Sequence, residues 1–230
     1  MFRNWTRDLP PEIDVRPVQL PGRERRLMED PYHHLTPLVA AVEHALLPYL
    51  LEPFAFFGHC LGALVAFELS RRLRDEHKLL PTALFVSAHR APQLPDRFTP
   101  AHHLPDAEFA SELRRRNGTS EEVLQNPGVM RLVLPLLRAD FAVCETYPYV
   151  RGEVLDCPIT VFGGATDPSV LPEELDGWAE QTGCSCAVQI LPGDHFFLQT
   201  ARSQLLQRLS RDLTGIIRGN PGSEQPLSTQ

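Results

Sequence analysis

Lysine is almost missing from this chain: Lys78 is the single one, and arginine supplies the rest of the 22 basic residues. That skew reads as a compositional bias rather than a functional signal. Against 29 acidic residues the formal net charge is -7, with a pI near 5.7. Such a balance argues against nucleic acid as the main partner while leaving room for a local basic patch that docks an acidic protein. No apolar run is long enough to span a bilayer, and Met1 to Pro11 has no signal-peptide core. A cytoplasmic protein with no membrane partner is therefore expected. Cys60, Cys144, Cys157, Cys184 and Cys186 are odd in number and lack Cys-x-x-Cys spacing, which argues for reduced thiols rather than a disulfide framework. Cys184-Ser185-Cys186 reads as a small-residue entry to a strand. The adjacent pairs His33-His34 and His102-His103 cannot face one way on a helix or strand and read as loop residues. Neither a metal nor a cofactor is expected.

What remains is ordinary for a globular chain: 43% hydrophobic and 22% charged over 230 residues. That length buries one sizeable core. A single α/β domain over residues 1–218 is expected, carrying a helical insertion at about 96–150, with 219–230 as a disordered tail.

The centre of the pattern is Phe54 to Arg72. Phe54 to Phe57 is a short apolar run that suits a buried strand, and Gly58-His59-Cys60-Leu61-Gly62 turns the chain. Leu61, Val65, Leu69 and Leu73 then recur at i+4 spacing. Strand, sharp turn and helix form a nucleophile elbow, with Cys60 at the exposed apex and Gly58 and Gly62 as the small residues that let strand and helix approach. In α/β hydrolases an acid and then a histidine follow the nucleophile, each just after a late strand. Ile159 to Phe162 leads into Gly163-Gly164-Ala165-Thr166-Asp167, and Ala187 to Leu191 leads into Pro192-Gly193-Asp194-His195. His89, after the strand Thr82 to Ser87, precedes the acid and lacks such a turn, so it reads as a structural or rim residue.

Other segments complete a mostly parallel sheet flanked by helices. Glu12 to Leu20 reads as a strand ended by Pro21-Gly22, and Leu35 to Leu50 as a helix with Thr36 as its cap and Pro48 weakening its end. Pro92 to Pro105 is a proline-rich linker. Helices are expected at Ala107 to Arg116, Glu121 to Gln125, Val129 to Thr146, Leu171 to Thr182 and Leu198 to Arg218. The helices between Thr82–Ser87 and Ile159–Phe162 would form a lid over the active edge. The apolar stripe of Val129 to Tyr147 suits either a lid face lining an acyl channel or an ordinary helix packed on the domain.

Val18-Gln19-Leu20-Pro21-Gly22-Arg23, Phe56-Phe57-Gly58-His59, Leu61-Gly62-Ala63, Leu137-Arg138-Ala139-Asp140 and Leu191-Pro192-Gly193-Asp194-His195-Phe196-Phe197 together resemble a type II thioesterase. These are the discrete editing thioesterases of polyketide and nonribosomal peptide synthesis, related to the medium-chain thioesterase of animal fatty acid synthase. The resemblance runs from about Phe2 to the last helix. It implies hydrolysis of acyl groups from the phosphopantetheine thiol of acyl or peptidyl carrier proteins, with Cys60 as nucleophile, Asp167 as acid, His195 as base and the Leu61 N–H as an oxyanion donor. It also places the Arg23 to Arg26 loop near the mouth of the site.

Two departures accompany it. The family's usual nucleophile is serine, so an acyl-enzyme on Cys60 would be a thioester, and its formation a near-isoenergetic exchange. The family also begins with a strand and a His-x-Gly-Gly-like loop that gives a second oxyanion donor, and nothing before Glu12 matches them. Loss of one such donor costs about 3 to 4 kcal/mol of transition-state stabilisation elsewhere. The expectation is a missing upstream strand, through a late start or a truncated relative. Two other readings stand beside the editing thioesterase: a Cys-dependent small-ester or lactone hydrolase, and a non-catalytic remnant that binds carrier proteins.

Overall fold

The computed structural model describes residues 2–117 and 119–219. Four parallel strands lie side by side in chain order: β1 (Ala55–His59), β2 (Ala83–Ser87), β3 (Ile159–Gly164) and β4 (Cys186–Leu191). A parallel pair needs a crossover, usually helical. Here α2 (Leu61–His77) joins β1 to β2, and α3 (Asp106–Arg115), α4 (Glu121–Leu124) and α5 (Pro127–Glu145) lie between β2 and β3. Between β3 and β4 come α6 (Pro172–Leu175) and a 3-10 turn at Asp176–Gln181, in place of one helix from 171 to 182.

Strand side chains alternate between faces, and both faces of this sheet are covered. Ala83 and Phe85 of β2 join Trp5, Phe162, Phe197 and Leu205 on one side. Leu84 and Val86 join Phe67, Val161 and Trp178 on the other. All five β2 residues are buried. A third cluster seats α1 (Leu35–Leu46) on α2 through Leu38, Val42, Leu64 and Leu69. The α3–α5 segment has a small core of its own, in which Phe109 and Leu113 meet Leu134, Leu137 and Phe141.

The structure corrects several expectations. Residues 12–20 form no strand. Extended backbone becomes a strand only with a ladder partner, and β1 is an edge strand to which no described residue pairs on its outer side. The segment is held by side chains instead: Ile13 and Val15 pack on the sheet core, and Arg26 donates to the Gln19 carbonyl at 2.8 Å. The first helix starts one residue after His34, so Thr36 lies inside it and is not its cap. It changes to a 3-10 turn at Leu47–Tyr49, where Pro48 removes a donor. The last helix divides at Ala201 into α7 (Phe197–Thr200) and α8 (Arg202–Ile217), and Arg202 reaches the Asn4 carbonyl and the Asp8 carboxylate. The expected tail at 219–230 lies, beyond Gly219, outside the described residues. No described helix is long and apolar enough to cross a membrane.

Candidate active site

Cys60 stands between β1 and α2 at φ 53 and ψ -120, a conformation costly for a residue with a side chain and a mark of stored local strain. Its backbone is pinned from both sides: its N–H donates to the Ser87 carbonyl at 2.8 Å, and its carbonyl accepts from Ala63 at 2.9 Å. A Cβ at Gly58 would sit 2.0 Å from the Gly62 carbonyl oxygen, so only glycine fits there. Gly62 is different from expectation, since a Cβ on it would meet nothing within 4 Å; what the turn needs at 62 is its backbone. Leu61 opens α2, so its N–H has no acceptor within the helix and lies beside Cys60.

Asp167 and His195 arrive on the loops that follow β3 and β4, and these loops are zipped together. Ala165 donates to the Leu191 carbonyl at 2.8 Å and Thr166 to the Gly193 carbonyl at 2.9 Å. Gly164 permits that approach, since a Cβ would lie 2.3 Å from the Asp194 carbonyl oxygen. The result is a buried contact in which His195 Nδ1–H donates to Asp167 Oδ2 at 2.8 Å. The other Asp167 oxygen accepts from the Ser169 N–H at 2.8 Å. Burial disfavours a charged His195, but the Cys60 sulfur as charge and hydrogen-bond partner, together with Asp167, outweighs it and raises the imidazole to about 10. The structure thus brings Cys60, Asp167 and His195 together, with the Leu61 N–H adjacent.

Further side chains surround the triad, and of these His59 carries no signal in the sequence that marks it as part of the site. His59 is packed between β2 and the His195 loop, its ring 5.2 Å from that of His195 and 5.8 Å from Phe197. Its Nδ1 is hydrogen-bonded to Ser87 Oγ at 2.9 Å, while its Nε2 is buried with no partner among the described residues. Burial, reinforced by His195, depresses it to about 3. His89 is structural: its Nδ1–H donates to the Arg90 carbonyl at 2.7 Å, its own carbonyl accepts from Trp178, and burial brings it down to about 4. Cys144 of α5 packs on the cluster that holds Leu61, and burial followed by the influence of Cys60 pushes its thiol well up. The Arg23 guanidinium pairs with Asp140 of α5 at 2.7 Å.

Histidines elsewhere serve other contacts. His102 donates to Glu145 at 2.7 Å. Glu43, Glu76 and His77 come within ligand distance of one another, but Arg72 occupies that cluster, 2.6 Å from Glu43 and 2.9 Å from Glu76. It is an ion-pair clamp between α1 and α2.

A sheet of this order, with a strained turn after its first strand and an Asp–His pair on the loops after its last two, defines an α/β-hydrolase-like enzyme. Residues 1–213 match the family model described as a thioesterase domain. The chain is 44% identical over 225 residues to linear gramicidin dehydrogenase LgrE of Brevibacillus parabrevis, covering 96% of this chain and 86% of that protein. It is similar in structure to the RedJ thioesterase of the prodiginine pathway of Streptomyces coelicolor, with a TM-score of 0.84, 39% identity and coverage of 91% and 79%. It is also similar to ClbQ of the colibactin NRPS/PKS pathway, with a TM-score of 0.89, 28% identity and coverage of 95% and 92%. The chain belongs to the thioesterase-domain family of acyl-thioester hydrolases, and the solved structures it is similar to include the type II thioesterase BorB of the borrelidin cluster, at 36% identity.

Proposed function

We propose that this chain is an editing thioesterase that clears acyl groups from the phosphopantetheine thiol of acyl or peptidyl carrier proteins. The observation that carries the reading is the buried 2.8 Å His195–Asp167 contact on the same imidazole that Cys60 engages. Cys60 attacks the acyl carbon, and the Leu61 N–H at the start of α2 donates to the oxyanion. His195 passes a proton to the departing pantetheine sulfur, and later takes one from the water that releases the acid. Asp167 holds the Nδ1–H tautomer and stabilises the imidazolium. The helical insertion, about residues 96–150, acts as the lid, with Cys144 of α5 packed on the cluster that holds Leu61.

The test is hydrolysis of a short acyl group from a loaded holo carrier protein, with acyl-pantetheine and a simple ester compared beside it. Free acid should form from the carrier and from acyl-pantetheine, and Cys60→Ala or His195→Ala should abolish it. A preference for the simple ester would favour the small-ester hydrolase. Carrier binding without release of free thiol would favour the non-catalytic remnant.

A further inference from the structure

A thiol at the elbow alters the energetics of the reaction in a way that an oxygen nucleophile would not. We infer that this chain also moves acyl groups from one thiol to another, using small or carrier-borne pantetheine-type thiols as acceptors. The inference rests on the reading of Cys60 as nucleophile given above.

The step balances without a further reagent. The Cys60 thiolate attacks R–CO–SR′, the C–S bond to the donor breaks, and R′–S⁻ takes the proton from the His195 imidazolium. A second thiol, R″–SH, then gives its proton to His195, and its thiolate attacks the acyl-Cys60 carbonyl and expels the Cys60 thiolate. The net change is R–CO–SR′ plus R″–SH to R–CO–SR″ plus R′–SH, one thioester for another.

The geometry treats the two half-reactions alike. Donor and acceptor sulfurs are chemically equivalent and meet the same imidazole, which Asp167 fixes by its Nδ1–H at 2.8 Å. The Leu61 N–H serves both tetrahedral intermediates, because both form on the same carbonyl next to Cys60. The acyl-enzyme is no more stable than its donor, so a released or added thiol can reclaim the acyl group; an oxyester on serine would lie lower and resist that return. Thiolates are also strongly nucleophilic at neutral pH. Water, in contrast, must be oriented as well as deprotonated. Beside the His195 ring stand Phe196, the His59 ring and, at one remove, Phe197. The His59 Nδ1 is already committed to Ser87, and its Nε2, without a partner among the described residues, is buried.

The experiment gives the intact chain an acyl-N-acetylcysteamine donor and millimolar pantetheine, and follows acyl-pantetheine and free acid together by mass spectrometry. Exchange in the presence of Cys60→Ala is subtracted as the uncatalysed background. Acyl-pantetheine should appear at least about tenfold faster than free acid, as expected when a thiolate competes with water for a thioester. Free acid that accumulates alone, at a rate indifferent to pantetheine, would overturn the exchange and leave the hydrolase reading standing. If neither product exceeds the Cys60→Ala background, both readings fall.

Discussion

Every residue of β2 is buried and none is charged, whereas the insertion between β2 and β3 adds buried charges to its apolar packing through Phe109 and Val143. In the insertion the Arg116 and Glu145 side chains are both buried and paired at 2.9 Å. Glu145 also accepts from the Ala101 and His102 backbone, and Arg116 lies over the rings of Phe98 and Phe141. The Arg116 carbonyl accepts a hydrogen bond from the hydroxyl of Ser169, two residues past Asp167. The contrast separates two tasks. Close backbone approach and non-directional apolar packing fix the site residues on the sheet edge, while the insertion adds to its apolar packing directional contacts that are lost or kept as units. A region built the second way suits a proposed lid.

The largest effect should follow from disturbing the sheet side. In Gly58→Ala the new methyl meets backbone, the Gly62 carbonyl at 2.0 Å and the Ala63 nitrogen at 2.6 Å, so no side chain can swing aside. Overpacking against flexible neighbours costs about 1 to 3 kcal/mol, and here the cost should reach or exceed the top of that range. Loss of about 10 °C in melting temperature and of nearly all hydrolysis is expected, measured by thermal denaturation and acid release. A variant that melts like the parent would show that the elbow is not held by close contact.

A second measurement sharpens the contrast through pH, because the depressed and raised histidines all sit on the sheet side. His59 and His89, held near 3 and 4 by burial, stay neutral in the fold but protonate near 6.5 when unfolded. The stability they represent is present above about 6.5 and is lost as pH falls toward 4. His195, raised to about 10, works in the opposite sense: its contribution is complete below about 6.5 and is lost as pH rises toward 10. From these groups stability peaks near pH 6.5 and falls by roughly 2 to 3 kcal/mol per unit on the acid side, about twice the alkaline slope. Urea midpoints at pH 5, 6.5 and 8 check this, and His59→Gln should remove about half of the acid slope. Equal midpoints at pH 5 and 6.5 would contradict it.

The same division explains what could be read from the sequence. The elbow was legible because its signals are local: an apolar strand, Gly58, Cys60 and an i+4 helix within some twenty residues. Asp167 and His195 followed from Gly-lined turns after apolar runs. Residues 12–20 differ from the expected strand because β-prone residues followed by turn chemistry carry no information on whether a ladder partner exists. His59 lies inside the motif, yet nothing local marks its role, since its partners, Ser87 and the His195 ring, come from distant parts of the chain. The Asn126 cap of α5, which accepts from the Gly128 and Val129 N–H groups at 3.1 Å, starts that helix two residues ahead of the expected Val129; Asn-Pro is the local signal that marks it. The ion pairs of the insertion join residues far apart in the chain, and no periodicity encodes them.

The smallest effect belongs to the joint between the two regions, where the Arg23 loop meets α5. Arg23 pairs with Asp140 through bonds of 2.7 and 3.4 Å, with each side chain about a quarter exposed, and Gly22 packs beneath Leu136. Burial already pushes the Asp140 carboxyl up despite Arg23, so Arg23→Ala leaves an acid that can relieve itself by taking a proton. Solvent screening limits the loss to about 1 kcal/mol, or about 2 to 4 °C in melting temperature. The kinetic effect is more telling than the thermal one. If α5 is the lid and this pair its latch, KM for the loaded carrier should change several-fold while kcat for small acyl-pantetheine stays near the parent value. Asp140→Asn should reproduce the change, since it removes the same contact from the other side. An unchanged KM in both variants would place the joint outside substrate entry and reduce it to one more surface ion pair.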